Sequence, residues 1–252
     1  MHIAILEAGR TNPDMPEEFR NYPDMFGSLF AGQTKNPIFQ FSNVPVIDGI
    51  FPKSVDDYDG YLVTGSAHGV YDSAPFIATL LEFIRTIFVA RKPLVGICFG
   101  HQAIAQALGG RAVKFDGGWG IGITRLRITG SAEWFPSDME HLDLIHVHQD
   151  QVISLPPQAV RLAESDFCKN AAFAIGEQVF SVQGHPEFTP AYTNALINIR
   201  EDMIGKDRAT NARTSLKNPH DGRQVGSWIL DFFAAHDAAL KKVGGDLDCV
   251  FE

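Results

Sequence analysis

The sequence predicts an α/β fold with a mostly parallel central sheet covered by helices on both faces. Three observations carry this reading. Short, unbroken apolar runs such as His2-Ile3-Ala4-Ile5-Leu6-Glu7 and Pro93-Leu94-Val95-Gly96-Ile97 suit central strands buried on both sides. Other segments keep apolar residues at helical spacing, most clearly Ile77, Leu80, Leu81, Ile84, Ile87 and Phe88. From residue 59 to 108 the two kinds alternate strand, helix, strand, helix, the order of a parallel sheet with crossover helices.

Taken in order, the terminal run is the first strand. Thr11–Asp24 holds Pro13, Pro16 and Pro23 among several acids and reads as an irregular loop, with a short helix over Met25–Phe30. Ile38–Val46 mixes aromatic and β-branched residues, a second strand. Asp59–Gly65 is a third strand running into a glycine turn. Asp72-Ser73-Ala74-Pro75 opens a helix with a capping residue and a first-turn proline. Pro93–Ile97 is a strand, and His101–Leu108 is a helix stopped by Gly109-Gly110.

The middle is strand-rich, with short runs at Val113–Phe115, Gly122–Ile128, Leu144–His148, Arg161–Glu164, Ala171–Ile175 and Val179–Gln183. Two helices follow, Ala191–Met203 and Arg223–Lys242, the second with Val225, Trp228, Ile229, Phe232, Phe233 and Leu240 on one face. The polar stretch Lys206–Asp221 reads as a surface loop. No repeat or linker divides the chain, so 1–252 reads as a single domain, a core of about 1–190 with a C-terminal helical extension of about 191–252.

Composition bounds the partners. With 21 Lys+Arg against 30 Asp+Glu the net charge is −9, which opposes a nucleic-acid partner, since that needs a basic face. No apolar run approaches the length of a membrane span, and the amino terminus lacks the basic region of a signal peptide. Cys98, Cys168 and Cys249 are far apart and odd in number, which fits a reducing compartment. The expectation is a soluble, acidic, cytoplasmic protein.

Val95-Gly96-Ile97-Cys98-Phe99-Gly100-His101-Gln102 places G-x-C-x-G between a strand and a helix. This is the nucleophile-elbow pattern with cysteine in place of serine. A sharp strand-to-helix turn presents one side chain, small neighbours leave room for the strained backbone, and the helix amino end favours a thiolate. Alone, Cys98 reads equally well as a buried structural thiol beside helix-start glycines. A thiolate nucleophile needs an imidazole, and the imidazole an orienting carboxylate. Phe180-Ser181-Val182-Gln183-Gly184-His185-Pro186-Glu187-Phe188 offers both, with Pro186 restricting the backbone between His185 and Glu187.

Together these stretches resemble class I glutamine amidotransferases. Gly96–Gln102 is similar to that family's G-[IVL]-C-[LF]-G-x-Q, and Val182–Glu187 to its G-[VT]-Q-F-H-P-E, with Ser181 at the glycine and Gly184 at the aromatic position. Leu62–Asp72 resembles G-G-P-x-S-V-[YF]-[DE], with Thr64 and Ala67 at the glycine and proline positions. Val147-His148-Gln149-Asp150-Gln151-Val152 resembles S-H-x-D-x-[VI], in the form of the GMP synthase amidotransferase half and its stand-alone relatives, and Gly118–Gly122 is similar to their E-I-G-W segment.

The resemblance implies a flavodoxin-like sheet and a catalytic Cys98, His185 and Glu187. It implies an oxyanion hole from the backbone amides of Gly65 and Phe99, and substrate contacts from Gln102, His148, Gln149 and Asp150. The substrate would be glutamine or another γ-glutamyl compound, with no cofactor and no metal. The extension is too short for a synthetase, so an ammonia-accepting synthase would be a separate subunit. A γ-glutamyl peptidase or a non-catalytic binding protein of the same fold are the alternatives. Zinc at His141, His146 and His148 lacks a fourth ligand at metal spacing, Gly117–Gly122 lacks the Lys-Ser/Thr of a phosphate loop, and Cys168 and Cys249 read as inert.

Overall fold

The computed structural model describes residues 1–19, 22–33, 39–135 and 139–248, with side chains to 237. Ile38, Cys249 and the side chain of Leu240, which enter the expectations above, lie outside the described residues.

A nine-stranded sheet forms the middle of the fold. Its parallel part is built from β1 (His2–Leu6), β2 (Gln40–Val44), β3 (Gly60–Val63), β4 (Leu94–Ile97) and β11 (Val179–Val182), in the order β2-β1-β3-β4-β11. Beyond β11 it continues antiparallel through β10 (Ala172–Ile175), β9 (Val160–Glu164), β6 (Gly120–Ile128) and β7 (His141–His148). A separate antiparallel pair joins β5 (Arg111–Lys114) to β8 (Asp150–Ser154). The strand character of β8 escaped the sequence reading, because its partner lies far away along the chain.

Alternate residues of the parallel strands feed two cores. Ile3, Ile5, Leu62, Val95 and Ile97 face one side, with α1 (Tyr22–Phe30) and α6 (Gly222–Asp248) packed there through Phe26, Trp228 and Phe232. Ala4, Leu6, Tyr61, Val63 and Leu94 face the other, under α2 (Pro75–Val89) and α3 (Phe99–Ala107). Unbroken apolar runs therefore occur because both faces are covered. No described helix is long and apolar enough to cross a membrane.

Three local expectations are corrected. The loop expected over Thr11–Asp24 contains a 3-10 turn at Glu17–Phe19, and α1 starts at Tyr22. The cap of α2 is Ala74, which makes no side-chain bond; Asp72 instead accepts from Gly69 N–H at 2.9 Å. Lys206–Asp221 is not a loop throughout, since α5 spans Lys206–Ser215. It buries only Ala209 and Ala212 and holds β6 through Ser215, whose Oγ accepts from Ile123 N–H at 2.9 Å. Two alanines make no visible apolar stripe, so tertiary packing overrides a polar segment. The preceding helix, α4 (Pro190–Ile204), is capped by Thr189 accepting from Tyr192 N–H.

Candidate active site

β3, β4 and β11 are adjacent and parallel, so the residues just past their carboxyl ends converge. Those residues are Gly65, Cys98 and His185, gathered where open α/β sheets hold ligands.

Cys98 is the turn between β4 and α3. Its φ of +52° is in a region that non-glycine residues seldom occupy, and its N–H is tied to Val182 C=O at 2.9 Å. The neighbouring glycines are required by contact. A Cβ on Gly100 would lie 2.2 Å from Val63 O, and one on Gly96 2.7 Å from Gly100 O. The α3 amino end leaves the Phe99 N–H without an intrahelical acceptor.

His185 is anchored by its N–H to Ile145 C=O at 2.7 Å, and its ring stacks on Phe188 with centroids 3.9 Å apart. Its Nδ1 meets Glu187 Oε1 at 2.7 Å, both side chains being buried. Burial alone would push the imidazole pKa down. The charges of Cys98 and Glu187, and hydrogen bonds to both, outweigh it and raise the value to about 10. The imidazole is thus favoured in its protonated form, between Cys98 and Glu187.

Gly65 stands beside this pair. A Cβ there would lie 2.9 Å from His185 Cε1 and 3.7 Å from Cys98 Cβ. Thr64, at a family glycine position, fixes the turn: its hydroxyl accepts from Ala8 N–H and donates to Gly65 C=O, each at 3.0 Å.

Two residues close to Cys98, His185 and Glu187 escaped the sequence reading of the site. The Tyr22 hydroxyl donates to Glu187 Oε1 at 3.0 Å, and Gln183 Nε2 lies 3.6 Å from Cys98 Sγ. Burial, then the charge of Glu187, raises the Tyr22 pKa, so it stays a neutral donor. Gln183 sits within the quoted motif, so proximity to His185 was its signal. Tyr22 arrives from the expected loop and carried none.

Cys98 opens to a cleft of about 580 Å³ that Gln102, His148, Gln149 and Asp150 also line. These four differ in what they can offer. Gln102 Nε2 donates to Asp150 C=O at 3.0 Å and Gln183 Oε1 at 3.2 Å, leaving its own oxygen for a ligand. The Gln149 backbone C=O accepts from Phe115 N–H. Asp150 is half-buried, and burial pushes its carboxyl above the ordinary value, partly offset by a hydrogen bond from Tyr71. His148 has both ring nitrogens engaged inside the protein, Nδ1 with Asp150 C=O at 3.0 Å and Nε2 with His146 Nδ1 at 3.1 Å. It forms the wall and shapes the Asp150 turn.

His146, His148 and His101 are buried, and burial drives all three imidazoles toward the neutral form, His148 to about 4 and His101 to about 3. His101 Nδ1 meets Ser181 Oγ at 2.5 Å, so Ser181, at a family glycine position, has a partner. Their folded values lie below the unfolded one of about 6.5, so the unfolded chain binds more protons as pH falls below that. The urea midpoint is therefore expected to drop between pH 6.5 and 4, and His146→Gln to flatten the drop. An unchanged slope in that variant would refute the assignment. Among the described residues no group of three His, Cys, Asp or Glu stands where it could hold a metal ion. Burial raises the Cys168 thiol to about 12, an unreactive environment.

The family model described as "Glutamine amidotransferase class-I" matches residues 40–199. Gamma-glutamyl peptidase 3 of Arabidopsis thaliana is 30% identical over 231 residues, 88% of this chain and 91% of that protein. The glutamine-hydrolysing GMP synthase of Vibrio cholerae is 28% identical, over 77% of this chain and 39% of its own length. A glutamine amidotransferase structure from Thermotoga maritima covers 93% of this chain and 97% of its own at a TM-score of 0.70 and 21% identity, a likeness of fold. With the family model covering more than half of the chain and a relative alike over nearly its full length, this chain belongs to the class I glutamine amidotransferase family of amidohydrolases.

Proposed function

We propose that this protein hydrolyses γ-glutamyl amide bonds through a γ-glutamyl thioester on Cys98. The observation that supports it is the Nδ1–Oε1 contact of 2.7 Å between His185 and Glu187, beside a cysteine held at positive φ. The Cys98 thiolate attacks the γ-carbonyl, and the oxyanion is held by the Gly65 and Phe99 amides. His185 gives its proton to the leaving nitrogen, which departs as ammonia from glutamine or as an amine from a longer substrate. Water then attacks the thioester while His185 takes a proton from it, and glutamate leaves with the thiolate restored. Glu187 keeps the imidazole oriented throughout. At the cleft's acidic end, Asp150 and the Gln102 oxygen suit the α-ammonium group.

Glutamine is the smallest substrate of this kind, and a separate synthase subunit would take its ammonia. A second reading, hydrolysis of γ-glutamyl peptides, is favoured by the cleft, which runs past Cys98 to Trp119 and Met203, and by the full-length likeness to a γ-glutamyl peptidase. In this reading residues 1–252 act as one domain, α4 forms part of the cleft wall, and the free thiols suit a reducing cytoplasm.

Glutamate release from glutamine and from γ-glutamyl peptides, with mass spectrometry of Cys98 after quenching, tests the reaction. A γ-glutamyl adduct on Cys98 is expected. Failure of every γ-glutamyl amide, with no adduct, would overturn it. Gly65→Ala should lower kcat by up to about 10²-fold, the cost of misplacing one oxyanion donor, because the new methyl would press on Tyr22 Oη at 2.6 Å and on His185 and shift the amide it retains. Wild-type kcat in that variant would refute the expectation that the crowding displaces the residue 65 amide.

A further inference from the structure

Arg200 projects from α4 into the cleft and belongs to no catalytic motif. Arg125, Arg127, Arg161 and Arg213 each meet a carboxylate. Arg200 does not: among the described residues its one specific partner is the Trp119 ring, 5.9 Å from Cζ to the centroid. The guanidinium is half-buried, and burial lowers its pKa, while Tyr192 and Cys98 act in the opposite sense. Holding a cation partly out of water with no carboxylate paired to it among the described residues is costly, and its N–H donors in a planar fork remain open. Such a group is complementary to a carboxylate, which it can grip with two parallel hydrogen bonds.

The position indicates which carboxylate. Arg200 borders the large cleft, and it also borders a smaller pocket of about 50 Å³ that His185 lines and Cys98 does not. His185 is the proton donor to the departing nitrogen, so the space on its side receives the leaving group. Of the residues lining the cleft, Asp72 and Asp150 lie together beyond Gly69, with Lys114 acting on Asp150, and Asp14 lines it as well. A pair of carboxylates thus stands at the Gly69 end, where the γ-glutamyl ammonium would sit, while Arg200, joined by Arg10 at the smaller pocket, supplies positive charge on the His185 side. In an α-amino-acid leaving group the carboxylate is one carbon from the nitrogen that His185 protonates.

We propose that Arg200 binds the carboxylate of the leaving amino acid, which makes the preferred substrates γ-glutamyl amino acids and short γ-glutamyl peptides whose leaving group carries a nearby carboxylate. This rests on the γ-glutamyl hydrolysis reading above and adds a requirement that reading lacks. The Trp119 ring, 5.9 Å from the guanidinium carbon, adds a cation–π contact that favours this placement of the side chain.

The test compares γ-glutamylglycine with γ-glutamylglycinamide, which differ only in the leaving-group charge, and adds glutamine. Wild-type enzyme is expected to favour the acid roughly 10- to 100-fold in kcat/KM, mainly through KM, the range of a charge-assisted contact. Arg200→Gln should bring the acid-to-amide ratio to about one, and Arg200→Lys should restore part of it. A wild-type ratio near one overturns the proposal without any variant. A loss in Arg200→Gln that is equal for acid, amide and glutamine also overturns it, because the arginine would then serve the α-carboxylate common to all three. Absence of Cys98-dependent turnover for every substrate defeats the underlying hydrolysis reading as well, a result distinct from a lost preference.

Discussion

Cys98→Ala is expected to lower glutamate release by at least ~10⁴-fold while leaving the fold intact. The size follows from removing the nucleophile of a unit whose members act together; the residue that remains can stabilise an oxyanion that never forms. The fold should survive because the elbow is held by its backbone, through Cys98 N–H to Val182 C=O and Gly100 N–H to Thr64 C=O at 3.1 Å. Alanine at φ +52° carries the same backbone strain as cysteine. Its local losses are the His185–Cys98 hydrogen bond and the weak Gln183 Nε2–Sγ contact of 3.6 Å. Calorimetry should still record glutamine or γ-glutamylglycine binding to the variant, since the cleft groups are untouched. Cys98→Ser should be nearly as inactive, because an alcohol is far less acidic than a thiol and a much weaker nucleophile near neutral pH. Substantial turnover by Cys98→Ala would dismiss the thioester mechanism.

Glu187→Gln is expected to reduce kcat about 10²- to 10⁴-fold and to move the alkaline limb of the pH profile downward. In the wild-type protein His185 holds its proton up to about pH 10, because the charges of Cys98 and Glu187 overcome the burial that would expel it. Activity that depends on the imidazolium should therefore fall as pH rises through that value. Removing one of the two negative charges lowers the imidazole pKa, so the fall begins earlier. Linkage has the same sign. A group whose pKa is raised on folding adds stability fully below its unfolded value of about 6.5, and this is lost as pH rises toward 10. The urea midpoint of Glu187→Gln should thus depend less on pH between 6.5 and 10 than that of the wild type. An alkaline limb that stays in place would deny Glu187 its orienting and charge-holding part.

The site was legible wherever its residues are neighbours along the chain. Gly96–Gln102 and Gln183–Glu187 each assemble locally, by a strand-to-helix turn and by a proline-restricted step, so short motifs capture them. Thr64 and Ser181 depart from the family pattern in sequence, and each has a partner in space: Ala8 N–H for one and His101 for the other. His148 shows the limit of carrying a role across by motif. Its position is as expected, yet both ring nitrogens are already occupied by Asp150 and His146. Arg200 left a faint trace, a lone cation on the face that Tyr192, Leu196, Ile199 and Met203 share in α4.

By itself the sequence determined the α/β class, the order of most strands and helices, and the two segments that carry the thiol, imidazole and carboxylate. Those depend on periodicity and turn chemistry within a few residues, which the chain encodes locally. The tertiary structure alone decided that β3, β4 and β11 stand side by side, so that Gly65, Cys98 and His185 meet past their carboxyl ends. It also decided that Tyr22 reaches Glu187 and that an unpaired Arg200 from the C-terminal extension faces the cleft. Each of these is a contact between residues distant in sequence, fixed by which faces the sheet buries and which helices cover them, and no local pattern records that choice.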